Sequence, residues 1–128
     1  MGSTTSNPSG RTFQATAVAI NAATLVSYDS NGLIAASSDD ALEQIVGVTT
    51  EDIAASGFGN VQLLNAGGTM EVLAGGDAIS VADTVYVDGG LAGSVGTDSS
   101  NTKIGVAMLA SSASGDIIEV LPHQTFLA

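Results

Sequence analysis

An internal repeat constrains this chain more than any other feature of it. Residues Thr24 to Leu63 read against Ala82 to Leu121 without a gap, 58 residues apart, and pair Tyr28 with Tyr86, Gly32 with Gly90, Leu33 with Leu91 and Asp40 with Asp98. Further along, Gly47-Val48 meets Gly105-Val106, Ala55-Ser56-Gly57 meets Ala113-Ser114-Gly115, and Leu63 meets Leu121. The matches fall on turn glycines and inward apolar positions, which set a backbone path. A duplicated small β unit is therefore predicted. At 128 residues the chain holds one domain, or two half-domains sharing one core, and has no room for a separate catalytic domain.

Composition narrows the fold class. Hydrophobic residues make up 45% of the chain but aromatic residues only 4%, with no Trp, so the core is filled by Val, Ile, Leu and Ala and must be thin. Sixteen Gly, with many Ser, Thr, Asn and Asp, supply turns for many short strands. Thirteen acidic residues face only Arg11 and Lys103, for a formal net charge of -11. Replacing the counterions around phosphates needs clustered cations, so neither a nucleic acid nor an anionic membrane is an expected partner. Such a charge suits a protein displayed on a crowded outer surface. There is no Cys, hence no disulfide, and the most apolar stretch, Ala15 to Ala23, is too short and too interrupted to span a bilayer.

Along the chain, residues 1–12 read as an extended N-terminal arm and 13–128 as a single β domain holding the pseudo-repeats 24–63 and 82–121. The segment MGSTTSNPSG has no apolar periodicity and predicts disorder in isolation. Whatever holds it lies outside its own core: either incidental packing on another molecule or a neighbouring subunit across which it is laid. Phe13 to Ile20 reads as a first strand, Leu25 to Tyr28 and Leu33 to Ala36 as a hairpin about the turn Asp29-Ser30-Asn31-Gly32, and Ile45 to Thr49 and Asn60 to Asn65 as the next strands. Ser38 to Glu43 reads as one helical turn or a solvated loop. Thr69 to Leu73, fenced by glycine pairs, is a strand between the repeats. Thr84 to Val87 with Asp88-Gly89-Gly90 repeats the hairpin, Lys103 to Leu109 and Ile117 to Leu121 close the second copy, and His123 to Ala128 is a tail. The expected architecture is all-β, a small sandwich or barrel of short antiparallel strands.

Catalytic groups are scarce. A Ser-His-Asp hydrolase needs an imidazole base, and His123 near the C-terminus is the sole one. A carboxylate pair for glycoside cleavage is available by count alone, but aromatic sugar platforms are nearly absent. One His and no Cys argue against a structural zinc site, and the Gly-Asp stretches around Asp77 and Asp88 are not tandem calcium repeats. No catalytic residue, cofactor or metal is expected. Tyr28 and Tyr86 stand in equivalent places and read as paired aromatics closing the ends of a duplicated core.

Taken in order, Thr24-Leu25-Val26 with Asp29 to Gly32, Ile45-Val46-Gly47-Val48, Gly76-Asp77-Ala78 leading to Val85-Tyr86-Val87-Asp88, Ile104-Gly105-Val106-Ala107 and Asp116 to Leu121 resemble the capsid cement, or decoration, proteins of tailed bacteriophages. The resemblance runs from Phe13 to Leu121, although Ala22-Ala23-Thr24 replaces the family's usual residues before the first hairpin and the arm is longer than its pattern. It implies a β-rich structural protein, not an enzyme, on the outer surface of the expanded head. There it reinforces contacts between major capsid protein subunits, often as a homotrimer. Residues of the arm and its root, Thr4, Thr5, Asn7, Pro8, Arg11 and Phe13, are then the expected contacts with capsid or neighbouring subunit, with Arg11 forming an intersubunit ion pair. The alternatives are a β-sandwich receptor-binding or adhesin module, which a concave aromatic and amide patch would favour, and a small glycan-active enzyme, which a carboxylate pair in a cleft would support.

Overall fold

A computed structural model describes residues 10–38, 44–65 and 67–122, and in these the chain is all strand and turn, with no helix. Strands β1 (Gly10–Ala15), β2 (Leu25–Tyr28), β3 (Leu33–Ala36), β4 (Gln44–Thr49) and β5 (Phe58–Leu63) close into a barrel in the order β1-β3-β2-β4-β5, with β5 returning to β1. Strands β6 (Met70–Ala74), β7 (Thr84–Val87), β8 (Ser94–Gly96), β9 (Lys103–Ala107) and β10 (Ile117–Pro122) close a second barrel in the same order. Closure leaves neither sheet with a free edge, which matters for a chain whose strands are rich in Val and Ile.

The expected all-β fold is present, and of its two forms the barrel is the one adopted. One expectation needs correction: β1 with β3 and β6 with β8 are parallel pairs. The chain reverses once between β1 and β2 and again at the hairpin into β3. Two reversals return it to its starting direction, and β3 then fits between β1 and β2. Strand β1 begins at Gly10, so Arg11 and Thr12 lie in a strand paired with Val61 and Asn60. Thr69 to Leu73 is the region of β6, the opening strand of the second barrel and the counterpart of β1.

Pairing fixes the true register of the repeat. Gln14 opposes Leu33 and Phe58 where Leu73 opposes Ser94 and Ile117, and Val26 opposes Gly47 where Val85 opposes Gly105. Strands β1, β2 and β5 thus map onto β6, β7 and β10 at an offset of 59, β4 onto β9 at 58, and β3 onto β8 at 61. The second hairpin loop is longer: Asp29 N–H donates to Leu33 C=O, four residues on, while Asp88 N–H donates to Ser94 C=O, six residues on. Gly32 therefore corresponds to Gly93, both with positive φ (81° and 80°), and not to Gly90. Tyr28 and Tyr86 are not equivalent either. Tyr86 opposes Lys103, the place that Ser27 takes against Ile45, so the paired-aromatic reading holds for Tyr28 alone.

Gly47 and Gly105, which do correspond, explain why that dipeptide recurs. A Cβ would stand 2.0 Å from the Gln62 carbonyl oxygen at the first and 2.1 Å from that of Leu121 at the second, so neither position admits a side chain. The first core holds Phe13, Ile34, Val26, Val61 and Ile53; the second holds Val72, Val85, Val87, Val95, Ile118 and Val120. Each fully buried aliphatic side chain of this size contributes about 1.5–3 kcal/mol. Leu25 and Val48 belong by sequence to the first barrel yet pack in the second cluster, joining the two barrels. Across the junction Leu73 N–H donates to Ala23 C=O, Leu25 N–H to Gly93 C=O, Gly93 N–H to Ser37 C=O, and Gln62 Nε2 to Thr69 C=O.

Candidate functional site

Of the expected contact residues, Thr4, Thr5, Asn7 and Pro8 lie outside the described residues; so do His123, Phe126 and Leu127 of the tail and residues 39–43 of the suggested helical turn. Arg11 and Phe13 are described and act together. In a strand, residues two apart share a face, and the Arg11 guanidinium carbon lies 4.9 Å from the centre of the Phe13 ring. Phe13 is buried and meets Tyr28 edge-on, with ring centres 5.3 Å apart and an interplanar angle of 70°. A cation held over a ring at an exposed site gains about 0.5–1 kcal/mol and loses some of its freedom. Arg11 is exposed, so a guanidinium is held at the root of the N-terminal segment. Phe13 supports Arg11 from within the core and is not itself a surface contact.

A cleft of about 420 Å³ opens between the barrels, lined from the first by Ala22, Ala23, Val48 and Gln62 and from the second by Met70, Glu71, Ile117 and Glu119, among others. Glu71 and Glu119 stand directly opposite one another on β6 and β10, and the Thr69 hydroxyl donates to the Glu119 carboxylate. Here is the carboxylate pair in a cleft that sequence counting left open. The lining contains no aromatic side chain to carry a sugar and no imidazole, and its one amide is Gln62. An aromatic and amide patch, the mark of the receptor-binding alternative, is not what this cleft offers.

Most remaining acids serve turns. Asp29 Oδ1 accepts from the N–H groups of Asn31 and Leu33, Asp88 Oδ1 from Gly90 N–H, and Asp116 Oδ2 from Ser112 and Ala113. Asp98 Oδ1 accepts from both the hydroxyl and the N–H of Ser100, which hold its carboxyl below the usual aspartate value. Among the described residues no three His, Cys, Asp or Glu side chains converge on a point where a metal ion could sit. The sequence reading passed over a group of exposed apolar side chains on strand faces and loops, including Phe58, Val81, Met108, Ile117 and Leu121. Their signal was present in the alternation Ile117-Glu119-Leu121, but which face of β10 meets water is set only by barrel closure.

Among the described residues the chain is two closed five-strand barrels in tandem, and its sequence is strongly acidic. The model of the phage cement protein family matches residues 5–122, and the chain belongs to that family. It is a virion structural protein that decorates the outer surface of the capsid. No curated protein sequence matches it. Among solved structures it is similar to the head fiber gp8.5 N base of bacteriophage phi29, with a TM-score of 0.61 and 18% identity over 89% of this chain and 94% of that one. That likeness is one of fold.

Proposed function

We propose that this protein binds the major capsid protein on the mature head as a homotrimer and stabilises the contacts between capsid subunits. The body begins with β1 at Gly10 and acts as one domain whose barrels share the Leu25 and Val48 core. Residues 1–9 act as its arm: Thr4, Thr5, Asn7 and Pro8 lie along a neighbouring subunit, and Arg11 of β1, steadied by Phe13 at the arm's root, pairs with a carboxylate there. The observation that carries the reading is the exposed Arg11 guanidinium stacked on a core ring at the root of the arm, in a family of capsid cement proteins. A ligand that binds only the assembled lattice stabilises it by its own binding free energy, and many copies on a repeating lattice add.

Occupancy of purified expanded heads, measured by cosedimentation, tests this. Deleting residues 1–9 should leave a protein with unchanged melting temperature and reduced occupancy, and Arg11→Glu should weaken binding in the same sense. Unchanged occupancy in both variants would refute the role of the arm; no binding by the intact protein to heads bearing their own major capsid protein would refute the partner.

A further inference from the structure

We infer that the face of the second barrel carrying Val81, Met108 and Leu121 is the socket for the first barrel of another copy of this chain, so that copies associate head to tail. The inference rests on the homo-oligomer proposed above and specifies the surfaces that build it.

The second barrel covers Ala23, Leu25 and Val48 of the first, and Ala22, Thr50 and Gln62 line the open cleft at the rim of that contact, Thr50 being exposed. The register that superposes the barrels converts this patch, residue by residue, into Val81, Ala82, Thr84, Val106, Met108 and Leu121. Loop hydrogen bonds confirm the match: Ala23 N–H donates to Thr49 C=O as Ala82 N–H does to Ala107 C=O, and Thr50 N–H donates to Asn60 C=O as Met108 N–H does to Glu119 C=O. In the first barrel Ala23, Leu25 and Val48 are buried beneath the second. Their counterparts are partly or wholly open, and Val81 is 61% exposed, Met108 44% and Leu121 45%. At three rim positions the second barrel is the more apolar, with Val for Ala22, Met for Thr50 and Leu for Gln62, while at the centre Thr84 stands for Leu25 and Asp83 for Thr24. Exposed apolar groups gathered on one face mark an interaction site.

The occupant follows from the same duplication. What covers the twin patch within this chain is a barrel of the same fold, presented through β6 and β10. The equivalent strands of the first barrel, β1 and β5, present Phe58, the counterpart of Ile117 and 70% exposed, and Arg11, the counterpart of Met70. Asp83, next to Thr84, supplies negative charge for that guanidinium. Because the two surfaces differ, the contact is heterologous, and repetition closes a ring where the rotation permits; the proposed trimer is such a ring.

Sedimentation of the free protein, with no capsid present, tests this. The wild type should sediment as an oligomer. Met108→Asp with Leu121→Asp, and separately Phe58→Asp, should each give monomers with unchanged melting temperature. An equimolar mixture of the two variants retains one intact contact and should give a heterodimer that grows no further. Met108→Gln with Leu121→Gln, which installs at 121 the residue already at 62, repeats the test if the acidic pair lowers the melting temperature. A monomeric wild type overturns both this inference and the homo-oligomer reading. An oligomer that survives Phe58→Asp, or a mixture that stays monomeric, overturns the head-to-tail contact alone. Loss of assembly on truncation after Pro122 assigns the socket to residues 123–128 and likewise overturns it.

Discussion

Replacing Gly93 with Ala probes the junction between the barrels directly. Gly93 has a φ of +80°, and a Cβ built on it would lie 2.3 Å from Thr24 Cγ2, 3.2 Å from Ala36 Cβ and 3.4 Å from the Leu25 carbonyl oxygen. The left-handed conformation costs a non-glycine residue about 1–2 kcal/mol, and overpacking a rigid contact adds about 1–3 kcal/mol. The sum is about 2–5 kcal/mol. Gly32, its counterpart in the first barrel, has a φ of +81°, but its Cβ would meet nothing nearer than the Tyr28 hydroxyl at 3.5 Å. Gly32→Ala therefore carries the conformational cost alone, about 1–2 kcal/mol. The loss of unfolded-state entropy on going from Gly to Ala is common to both and cancels in the comparison. Equilibrium unfolding in urea should show Gly93→Ala destabilised more than Gly32→Ala by about 1–3 kcal/mol at equal m-value. Adding Thr24→Ser, which removes Cγ2, should recover most of that difference in a double-mutant cycle. If Gly93→Ala proves no worse than Gly32→Ala, or Thr24→Ser gives no recovery, the barrels do not pack through this contact.

The corrected register makes its own prediction: Tyr28→Ser should cost about 2–4 kcal/mol, because the ring packs on Phe13 in the core, and Tyr86→Ser less than about 1 kcal/mol, because Ser27 already occupies that place in the twin; equal losses on thermal unfolding would restore the gapless pairing. Asp98 should titrate by NMR below the ordinary aspartate value, and Ser100→Ala should bring it back up, since the hydroxyl of Ser100 is the larger cause and its N–H the smaller. With the folded value depressed, the contribution of this carboxylate to stability is present above the unfolded pKa and fades as pH falls through the folded one, so Ser100→Ala should lower stability at neutral pH, flatten the acid limb of the profile, and leave stability below the folded pKa unchanged.

Local chemistry made the duplication legible without any structure. Gly47-Val48 and Gly105-Val106 recur because neighbouring carbonyls forbid a Cβ at both glycines, and Asp29 marks its turn because a carboxylate two to four residues ahead satisfies the turn's own N–H groups. The family resemblance rode on these same constraints, and so did the all-β class. The register did not follow, since a gapless comparison cannot see that the second hairpin loop is two residues longer and the next connection shorter, and it matched Tyr28 to Tyr86 and Gly32 to Gly90 by coincidence of type. Nor could the sequence tell a sandwich from a barrel, place a parallel strand inside each sheet, or show that Arg11 rests on Phe13. Strand alternation reports only that a strand has two faces. Which face turns to the core, which to the other barrel and which to water is decided when β5 closes on β1 and β10 on β9, because only closure assigns an inside. That is why Leu25 and Thr84, alike in place, differ in burial: one barrel of the chain covers the first, and nothing among its described residues covers the second to the same degree.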